Sequence, residues 1–352
     1  MHFAVAISFL ISFLLCPLII KICKKFDWYD KVNPRKIHEG KVSRLGGIAV
    51  VISFLAVCLP VCAKLSLFSF AQGLPIFAGF LVVFLIGIFD DFFDLRARFK
   101  LIFQILSAIC VISGQFYFNS IFGVSLPFAP ILGRFITFFW VLLVVNAYNL
   151  IDGMDWLCGG LSFFGLIAYG TIFAIGGSNE SIIVFAFCAS ILGFMFWNRP
   201  KAKIFLGDGG SLSIGYALAI FPLIYHGKIG FDFNRMLLAI LISSIPIIDV
   251  FAAILRRTRE HRSFFSPDRR HIHHKLLNIG FSPFVIRLFL FTLQILLSTV
   301  AILTTFVGRK TGTALLLSAF AFNSVFFISI HYINIAVTRR MGGHLEDHPM
   351  KE

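Results

Sequence analysis

Long apolar runs, separated by short polar segments, make up most of the chain. A helix needs about 17–25 apolar residues to cross a bilayer, and eleven runs approach or reach that length. They lie near 3–21, 46–63, 73–89, 99–117, 133–150, 159–177, 182–197, 209–226, 236–255, 284–307 and 313–336. The pattern predicts an all-α polytopic membrane protein with about eleven transmembrane helices.

The composition agrees with a membrane protein. Only 14% of the 352 residues are charged and the mean hydropathy is +0.90, whereas soluble domains carry about 25% charged residues. A soluble fold is excluded because too few polar residues remain to cover its surface. The seven cysteines lie mostly in apolar runs and form no CxxC pair, which predicts buried free thiols. We expect one integral membrane domain over residues 1–337 and a cytoplasmic tail over 338–352.

The distribution of charge predicts the topology. When the loops are assigned alternately to two sides, one side holds 24 Lys and Arg residues and the other holds six. The positive-inside rule makes the first side cytoplasmic, with the N-terminus outside and the C-terminus inside. The same rule accounts for the net charge of +14, so no nucleic-acid partner is expected.

The acidic residues give a second indication. Fourteen of the 17 Asp and Glu residues also fall on the predicted cytoplasmic side. The positive-inside rule says little about acids, so topology alone does not explain them. Their position predicts a polar site at the cytoplasmic boundary of the membrane.

Two of the acidic motifs contain carboxylates next to apolar runs. "GIFDDFFDLRARFK" ends a predicted span with Asp90 and Asp91, which repel each other unless a cation offsets them. A solvated helix end is the alternative. "FLGDGGSLS" places Asp208 among glycines, which allow close approach of a phosphate to the backbone, although Asp208 also suits a plain helix N-cap.

The third acidic motif is "NAYNLIDGMDWLCGG". It spaces Asn146, Asn149, Asp152 and Asp155 three residues apart, which groups neighbours on one side of a helix end. The loop from 151 to 158 has no Lys or Arg, and oxygen ligands without a local cation suit a hard divalent metal ion. Turn residues at the end of a helix are the alternative.

Two basic segments accompany the acids. "DKVNPRKIHEGKVSRLGG" and "RRTREHRSFFSPDRRHIHHKLL" supply Lys36, His38, Arg262, Arg269, Arg270, His271, His273 and His274. Positive-inside retention explains the Lys and Arg residues but not three clustered histidines, and a zinc site would have no cysteine nearby. Such a cluster suits an oxygen-rich anion such as a diphosphate. Asp249 lies within a predicted span, where a charge is costly unless it is paired, so we expect it to be functional.

Six of these motifs, in order between about residues 30 and 275, resemble the polyprenyl-phosphate N-acetylhexosamine-1-phosphate transferases, glycosyltransferase family 4. They are "DKVNPRKIHEGKVSRLGG", "GIFDD" followed by "KLIFQ", "NAYNLIDGMD", "FLGDGGS", "PIIDV" and "SPDRRHIHH". The "HIHH" form resembles the WecA/TagO branch, which uses UDP-GlcNAc, rather than phospho-MurNAc-pentapeptide translocase. Three residues depart from the pattern: Ser43 stands where proline is usual, Trp156 where a small residue is usual, and His261 where glycine is common.

The resemblance implies transfer of GlcNAc-1-phosphate from UDP-GlcNAc to undecaprenyl phosphate with release of UMP. This would be the first membrane step of a cell-envelope polysaccharide pathway, in the bacterial cytoplasmic membrane. It implies Mg²⁺, or Mn²⁺ in its place, held by Asp208, Asp90, Asp91 and Asp152. It implies a catalytic role for Asp90, Asp91, Asp208, His271, His273 and His274. It implies substrate binding by Lys36, His38, Asn149, Asp152, Asp155, Asp249, Arg262, Arg269 and Arg270.

Two alternatives remain at this point. A translocase-type donor, UDP-MurNAc-pentapeptide, belongs to the same chemistry. A transporter or flippase also fits eleven spans, but the chain shows no internal repeat and most spans lack charge, which argues against transport. The oligomeric state stays open, a homodimer included.

Overall fold

The computed structural model describes residues 2–29, 42–121, 124–227, 234–263 and 270–340, and these form thirteen α-helices and one short hairpin. The helices are α1 His2–Phe26, α2 Gly46–Leu65, α3 Phe70–Phe93, α4 Ala97–Ser113, α5 Ala129–Ile151, α6 Leu157–Ile175, α7 Ser181–Met195, α8 Gly207–Ile220, α9 Arg235–Ile242, α10 Ser244–Arg259, α11 Ile272–Ile279, α12 Pro283–Leu303 and α13 Arg309–Arg340. In the hairpin, β1 (Ser120–Ile121) pairs antiparallel with β2 (Val124–Ser125).

The prediction of an all-α polytopic membrane protein is confirmed, but the count of eleven spans is not. Each predicted run corresponds to a helix or a broken helix. Within the described ranges, seven helices are long and apolar enough to cross a membrane, or eight when α9 and α10 count as one bent span. The helices α7 and α8 have 15 and 14 residues, which is short for a full crossing, and α4 with 17 residues is at the lower limit.

The run predicted as one span over 236–255 is divided into α9 and α10, which meet at 78°. The ring of Pro246 would clash with the carbonyl of Ile242 in a continuous helix, because a proline opposes the carbonyl four residues before it. That carbonyl instead accepts a hydrogen bond from the Gln294 side chain of α12 at 3.0 Å. Asn323 of α13 donates to the hydroxyl of Ser244 at 2.8 Å. Neighbouring helices therefore satisfy the polar groups at the break.

Glycines bring three helices together around the start of α8. A Cβ added to Gly87 of α3 would lie 2.5 Å from the Cα of Gly209, and one added to Gly47 of α2 would lie 2.5 Å from the Cα of Gly210. Only a residue without a side chain permits such close backbone approach. The C-terminal end of α3, which carries Asp90 and Asp91, is thus held against the N-terminal end of α8.

The segment before α2 pairs with the segment before α8. Ser43 and Ile204 form an isolated parallel bridge, and the amide of Phe205 donates to the Ser43 carbonyl at 2.7 Å. The amide of Gly46 donates back to the Phe205 carbonyl at 2.9 Å. This pairing fixes the "RLGG" motif beside the "FLGDGG" motif.

The remaining expectations on the fold concern the cysteines and the tail. All seven cysteines are free and six of them are buried, as predicted. The helix α13 continues to Arg340, so the predicted tail boundary at 338 falls in its last turn. Residues 341–352 lie outside the described part of the chain.

Candidate active site at the start of α8

Two carboxylates from different helices meet at one lysine. The Nζ of Lys100, in the first turn of α4, lies 3.0 Å from an Asp90 oxygen and 2.7 Å from an Asp208 oxygen. Asp90 lies in the last turn of α3, and Asp208 lies in the first turn of α8. The other Asp90 oxygen accepts the backbone amide of Leu95 at 2.7 Å, which holds the turn between α3 and α4. The ammonium group thus offsets the repulsion between the two carboxylates.

Asp91 has a different role from its neighbour Asp90. Its two oxygens accept the backbone amides of Asp208 at 2.8 Å and Gly209 at 3.0 Å. These amides are among the first-turn groups of α8 that have no partner within the helix. Asp91 therefore caps α8, and its negative charge also suits the positive end of the helix dipole.

The end of α5 brings two further predicted residues to this site. Asn149 donates to the hydroxyl of Ser211, three residues after Asp208 in α8, at 3.0 Å. Asp152 follows the last residue of α5 and has no hydrogen-bond partner within the described part of the chain. Burial, and then the nearby negative charges of Asp208 and Asp155, raise the pKa of Asp152 to about 8. Asp152 is thus a carboxyl group with free capacity for a ligand.

Asp155 lies in the loop between α5 and α6 and faces protein. It is buried, it accepts the amide of Ala202 at 3.3 Å, and its charge acts on Arg287 of α12. Asn198 holds the same loop by accepting the amide of Trp156 at 2.9 Å. The structure therefore gives Asp155 contacts that support the loop of Asp152.

Asp249 is paired with the first histidine of the "HIHH" motif. It is 1% exposed, and one of its oxygens lies 2.8 Å from the Nδ1 of His271. The other oxygen accepts the amide of Ile272, the first residue of α11, at 2.9 Å. Asp249 thus connects the bent α10 to the start of α11.

The second histidine joins the histidine motif to the Asp152 loop. His273 is 1% exposed, and neither ring nitrogen has a hydrogen-bond partner in the described residues. A Cβ added to Gly153 would lie 2.5 Å from its Nε2, so the ring packs against the backbone next to Asp152. Its ring centroid lies 4.2 Å from that of His274 and 6.1 Å from that of His271. Burial, and then the charges of these two neighbours, lower the pKa of His273 well below its ordinary value.

The arginines lie at the margin of the histidine motif. Arg262 and Arg270 are about half exposed, and both pair with Glu260, Arg270 at 2.7 Å and Arg262 at 3.4 Å. The hydrogen bond from Arg270 lowers the pKa of Glu260. The other predicted basic residues, Lys36, His38 and Arg269, lie outside the described residues.

Lys100 is a site residue that sequence reasoning missed. It belongs to the quoted stretch "GIFDDFFDLRARFK", but its spacing of ten residues from Asp90 matches no local helix pairing. Asp94, which is nearer in sequence, turns away and lies 3.6 Å from Arg44. One signal was present: paired carboxylates require a cation, and "KLIFQ" supplies a lysine at the start of the next helix.

Two departures from the resembled pattern occur where the backbone is left-handed. Trp156 has φ +69° and His261 has φ +51°. Glycine adopts this conformation without steric cost, which explains why small residues are usual there. Trp156 is held in place by its indole N–H, which donates to the Met195 carbonyl at 2.6 Å. Ser43, in place of proline, donates to the sulfur of Cys23 at 3.0 Å.

The carboxylates at the start of α8 are the candidate ligands for a metal ion. Among the described residues, no group of three or more His, Cys, Asp or Glu side chains is arranged as a metal site. Asp90 and Asp208 nevertheless direct one carboxylate oxygen each at the same cation, the Lys100 ammonium. Hard divalent ions prefer such oxygen ligands. The pair therefore fits a divalent ion, with Asp152 as a further carboxyl group.

Comparison with known proteins gives the family. Residues 74–226 match the family model described as glycosyl transferase family 4. A probable undecaprenyl-phosphate N-acetylglucosaminyl 1-phosphate transferase of Bacillus subtilis (strain 168) is 33% identical over 291 residues, 79% of this chain and 78% of that protein. This chain belongs to glycosyl transferase family 4.

Other relatives in glycosyl transferase family 4 agree. Two proteins named undecaprenyl-phosphate alpha-N-acetylglucosaminyl 1-phosphate transferase come from Yersinia pestis and Escherichia coli (strain K12). The first is 32% identical and covers 85% of this chain and 84% of its own length; the second is 34% identical and covers 74% and 72%. The resemblance inferred from the motifs is thus confirmed. The family 4 match includes the Asp90–Lys100–Asp208 cluster and the Asp152 loop.

Proposed function

We propose that this protein transfers GlcNAc-1-phosphate from UDP-GlcNAc to undecaprenyl phosphate, with UMP as the second product. The names of the relatives support the reaction and the lipid acceptor. The observation that carries the proposal is the convergence of Asp90 and Asp208 on one cation, at the same end of an apolar helix bundle as Asp152 and the histidines. Phosphoryl transfer requires such carboxylates for a metal ion together with fixed positive charge.

The reaction balances with these two substrates. An oxygen of the lipid phosphate forms a bond to the β-phosphorus of UDP-GlcNAc, and the bond from that phosphorus to the bridging oxygen breaks. The bridging oxygen leaves with UMP, and the sugar remains on a lipid-linked diphosphate. A phosphate monoester has a second pKa near 6, so the attacking oxygen is largely ionised at neutral pH. A strong base in the protein is therefore not required.

The side chains of this site have distinct tasks in the proposed reaction. Lys100 neutralises the carboxylate pair and offers its ammonium group to a phosphate oxygen. Asp91 accepts the first free amides of α8 and so holds the start of that helix against the end of α3. Asn149 holds Ser211 of α8, and Asp152 is available for the nucleotide or the metal ion. His273 packs against Gly153, next to Asp152, and the three histidines would contact the diphosphate.

Mg²⁺ is the proposed cofactor, and Asp208 and Asp90 would hold it, with Asp152 alongside. When bound, the ion would neutralise the charge of the diphosphate that accumulates during transfer. Mn²⁺ prefers the same oxygen ligands. We therefore expect EDTA to abolish activity and Mg²⁺ to restore it.

The proposed location is the cytoplasmic boundary of the bacterial cytoplasmic membrane. The predicted cytoplasmic loops hold 24 of the Lys and Arg residues against six on the other side. UDP-GlcNAc is water-soluble and the lipid phosphate is held in the membrane, so a site at this boundary can reach both. A cysteine introduced at Asn179, which is exposed in the loop between α6 and α7, should then react with an impermeant reagent outside intact cells, after removal of the native cysteines.

A donor panel tests the proposed function. Purified protein in detergent is mixed with undecaprenyl phosphate and labelled UDP-GlcNAc, UDP-GalNAc or UDP-MurNAc-pentapeptide, and UMP and lipid product are measured. We expect equal amounts of UMP and lipid-linked diphospho-GlcNAc, and no turnover of the pentapeptide donor. Faster turnover of that donor would change the assigned substrate, and the absence of UMP with every donor would reject the transferase. UMP release in detergent, where no gradient exists, excludes pure transport.

A further inference from the structure

Asp249 occupies a buried position in which the presence of a carboxylate requires an explanation. It lies in α10 with 1% of its surface exposed, and both of its oxygens are engaged, by His271 and by the amide of Ile272. An isolated ionised carboxylate in such a position is strongly unfavourable. A helix cap alone does not require it, since serine, threonine or asparagine caps helices equally well. The carboxylate must therefore matter to His271.

The chemistry of the pair fixes the tautomer of His271. An ionised carboxylate is only an acceptor, so at 2.8 Å the Nδ1 of His271 must carry a hydrogen. The Nε2 is left as the nitrogen that a ligand meets. Asparagine at 249 could still accept the Ile272 amide, but its NH₂ group would face Nδ1 and favour the opposite tautomer.

The ring that Asp249 fixes belongs to the candidate site. His271 and His273 lie nearly parallel, with centroids 6.1 Å apart and planes 11° apart. His273 packs in turn against Gly153, next to Asp152. A change in the orientation of His271 would thus be felt at the loop that we assign to the donor.

We propose that Asp249 is a positioning residue for sugar-1-phosphate transfer, which acts through His271 by holding its ring and its Nδ1–H tautomer so that Nε2 serves the donor diphosphate. This inference rests on the proposed function and replaces the expectation that Asp249 itself binds substrate. The buried position of Asp249 leaves no oxygen for a ligand. Its effect on activity must therefore pass through its two protein partners.

A double-mutant cycle separates action through His271 from an independent role. The variants are Asp249→Asn, His271→Ala and the double variant, with kcat and KM for UDP-GlcNAc measured in each. We expect Asp249→Asn to lose on the order of tenfold to a hundredfold, as for residues that orient a ligating histidine, and the double variant to match His271→Ala. Losses that multiply in the double variant would show that Asp249 acts independently of His271 and overturn the proposal.

The tautomer is read separately by NMR of ¹⁵N-histidine-labelled protein, with His271→Ala to assign the signal. We expect Nδ1–H in the wild type and Nε2–H in Asp249→Asn, and an unchanged tautomer would refute the proposal. If Asp249→Asn does not fold, the variant His271→Asn is tested in its place. The asparagine amide keeps the contact with Asp249, but the side chain has no counterpart of Nε2. This variant should fold as the wild type does and lose as much activity as His271→Ala; retained activity would contradict the role of Nε2.

These two measurements also separate this inference from the proposed function. A wild type that releases no UMP with any donor rejects the function, while the tautomer still tests the pair. A wild type that is active, with losses that multiply and a tautomer that does not change, rejects only the role of Asp249.

Discussion

The charged residues at the two ends of the helix bundle differ in how fully the protein satisfies their hydrogen bonds. At the end where α8 begins, Lys100 is shared by two carboxylates, and within the described residues neither Asp152 nor the ring nitrogens of His273 have a hydrogen-bond partner. At the end where α7 begins, Glu180 accepts from the Ser178 hydroxyl and lies 2.9 Å from the Nδ1 of His226. Both Glu180 oxygens are thus engaged within a local group.

This difference indicates which end binds a ligand. Buried polar groups are nearly always satisfied in folded proteins, so exceptions require an explanation. The Glu180 group is complete in itself and needs only to stabilise the loop between α6 and α7. At the end where α8 begins, some polar groups have no hydrogen-bond partner within the described part of the protein. This is expected of a site that would bind a charged substrate and a metal ion.

Asp208→Asn should have the largest effect on activity and thus tests the difference between the two ends most strongly. The change keeps the size of the side chain but removes the charge that a hard cation requires. We expect kcat to fall by roughly 10²–10³, the range for loss of one electrostatic stabiliser of a transition state, with the melting temperature nearly unchanged. The assay is UMP release at saturating donor.

Asp94→Asn is the matched control for Asp208→Asn, because Asp94 lies near Asp90 in sequence but faces Arg44. It should keep most of the activity. Equal losses in the two variants would mean that general charge at this end, and not the position of Asp208, supports the reaction.

Lys100→Ala should have the next largest effect. The ammonium group holds Asp90 and Asp208 together, and without it the two carboxylates repel each other. We expect UMP release to fall by about 10². Lys203→Ala is the control, since Lys203 is exposed and contacts the ring of Trp197. Near-normal turnover in Lys100→Ala would show that the Lys100 cluster does not support the reaction.

Gly153→Ala should have a smaller effect at the same end. The new methyl group would lie 2.5 Å from the Nε2 of His273, so the ring must move away from the Asp152 loop. We expect kcat/KM to fall by about tenfold and the stability by roughly 1–3 kcal/mol, as for overpacking. Gly308→Ala, where nothing lies within 4 Å of the added methyl group, should change neither. Unaltered kinetics in Gly153→Ala would separate His273 from catalysis.

The smallest expected effect is on the stability of the fold alone, and it arises from the contact between Glu180 and His226. The hydrogen bond that His226 donates to Glu180 raises the pKa of His226 above 6.5. Burial tends to raise the pKa of Glu180, but the hydrogen bonds from His226 and Ser178 lower it on balance below 4.5. The His226 contribution is complete below about pH 6.5 and is lost as the pH rises through its raised pKa. The Glu180 contribution is complete above about pH 4.5 and is lost as the pH falls through its lowered pKa.

The pair should therefore stabilise the fold most between these two values. Because His226 is more than half exposed, we expect only a few tenths of a kcal/mol, as for exposed ion pairs. When the pH rises from about 6 to 9, the melting temperature of the wild type should fall slightly more than that of His226→Gln. The variant should keep its activity. An inactive His226→Gln would contradict the contrast between the two ends.

The fold was predictable from the sequence where local pattern decides it. The apolar runs marked the helices, and the motifs marked Asp90, Asp152, Asp208 and the histidines. The break between α9 and α10 also had a local signal, since Pro246 follows Ile242 by four residues. That signal was outweighed by the continuous hydrophobicity of the run.

The contacts of the site were less predictable because they join distant parts of the chain. Lys100 and Asp208 are 108 residues apart, and Asp91 caps a helix that begins more than 100 residues later. Sequence spacing could not tell that one of two adjacent aspartates would hold the lysine and the other the helix. The partner of Asp249 was hidden in the same way, 22 residues away beyond the end of α10.

Photolabelling tests most directly which end of the bundle binds the donor. The purified protein is irradiated with an azido-UDP-GlcNAc, with and without excess unlabelled UDP-GlcNAc, and the labelled peptides are identified by mass spectrometry. We expect label that the competitor suppresses within residues 146–157, 204–211 or 270–275. Label at 176–181 or 221–227 that the competitor suppresses would place the donor at the Glu180 end and contradict this account.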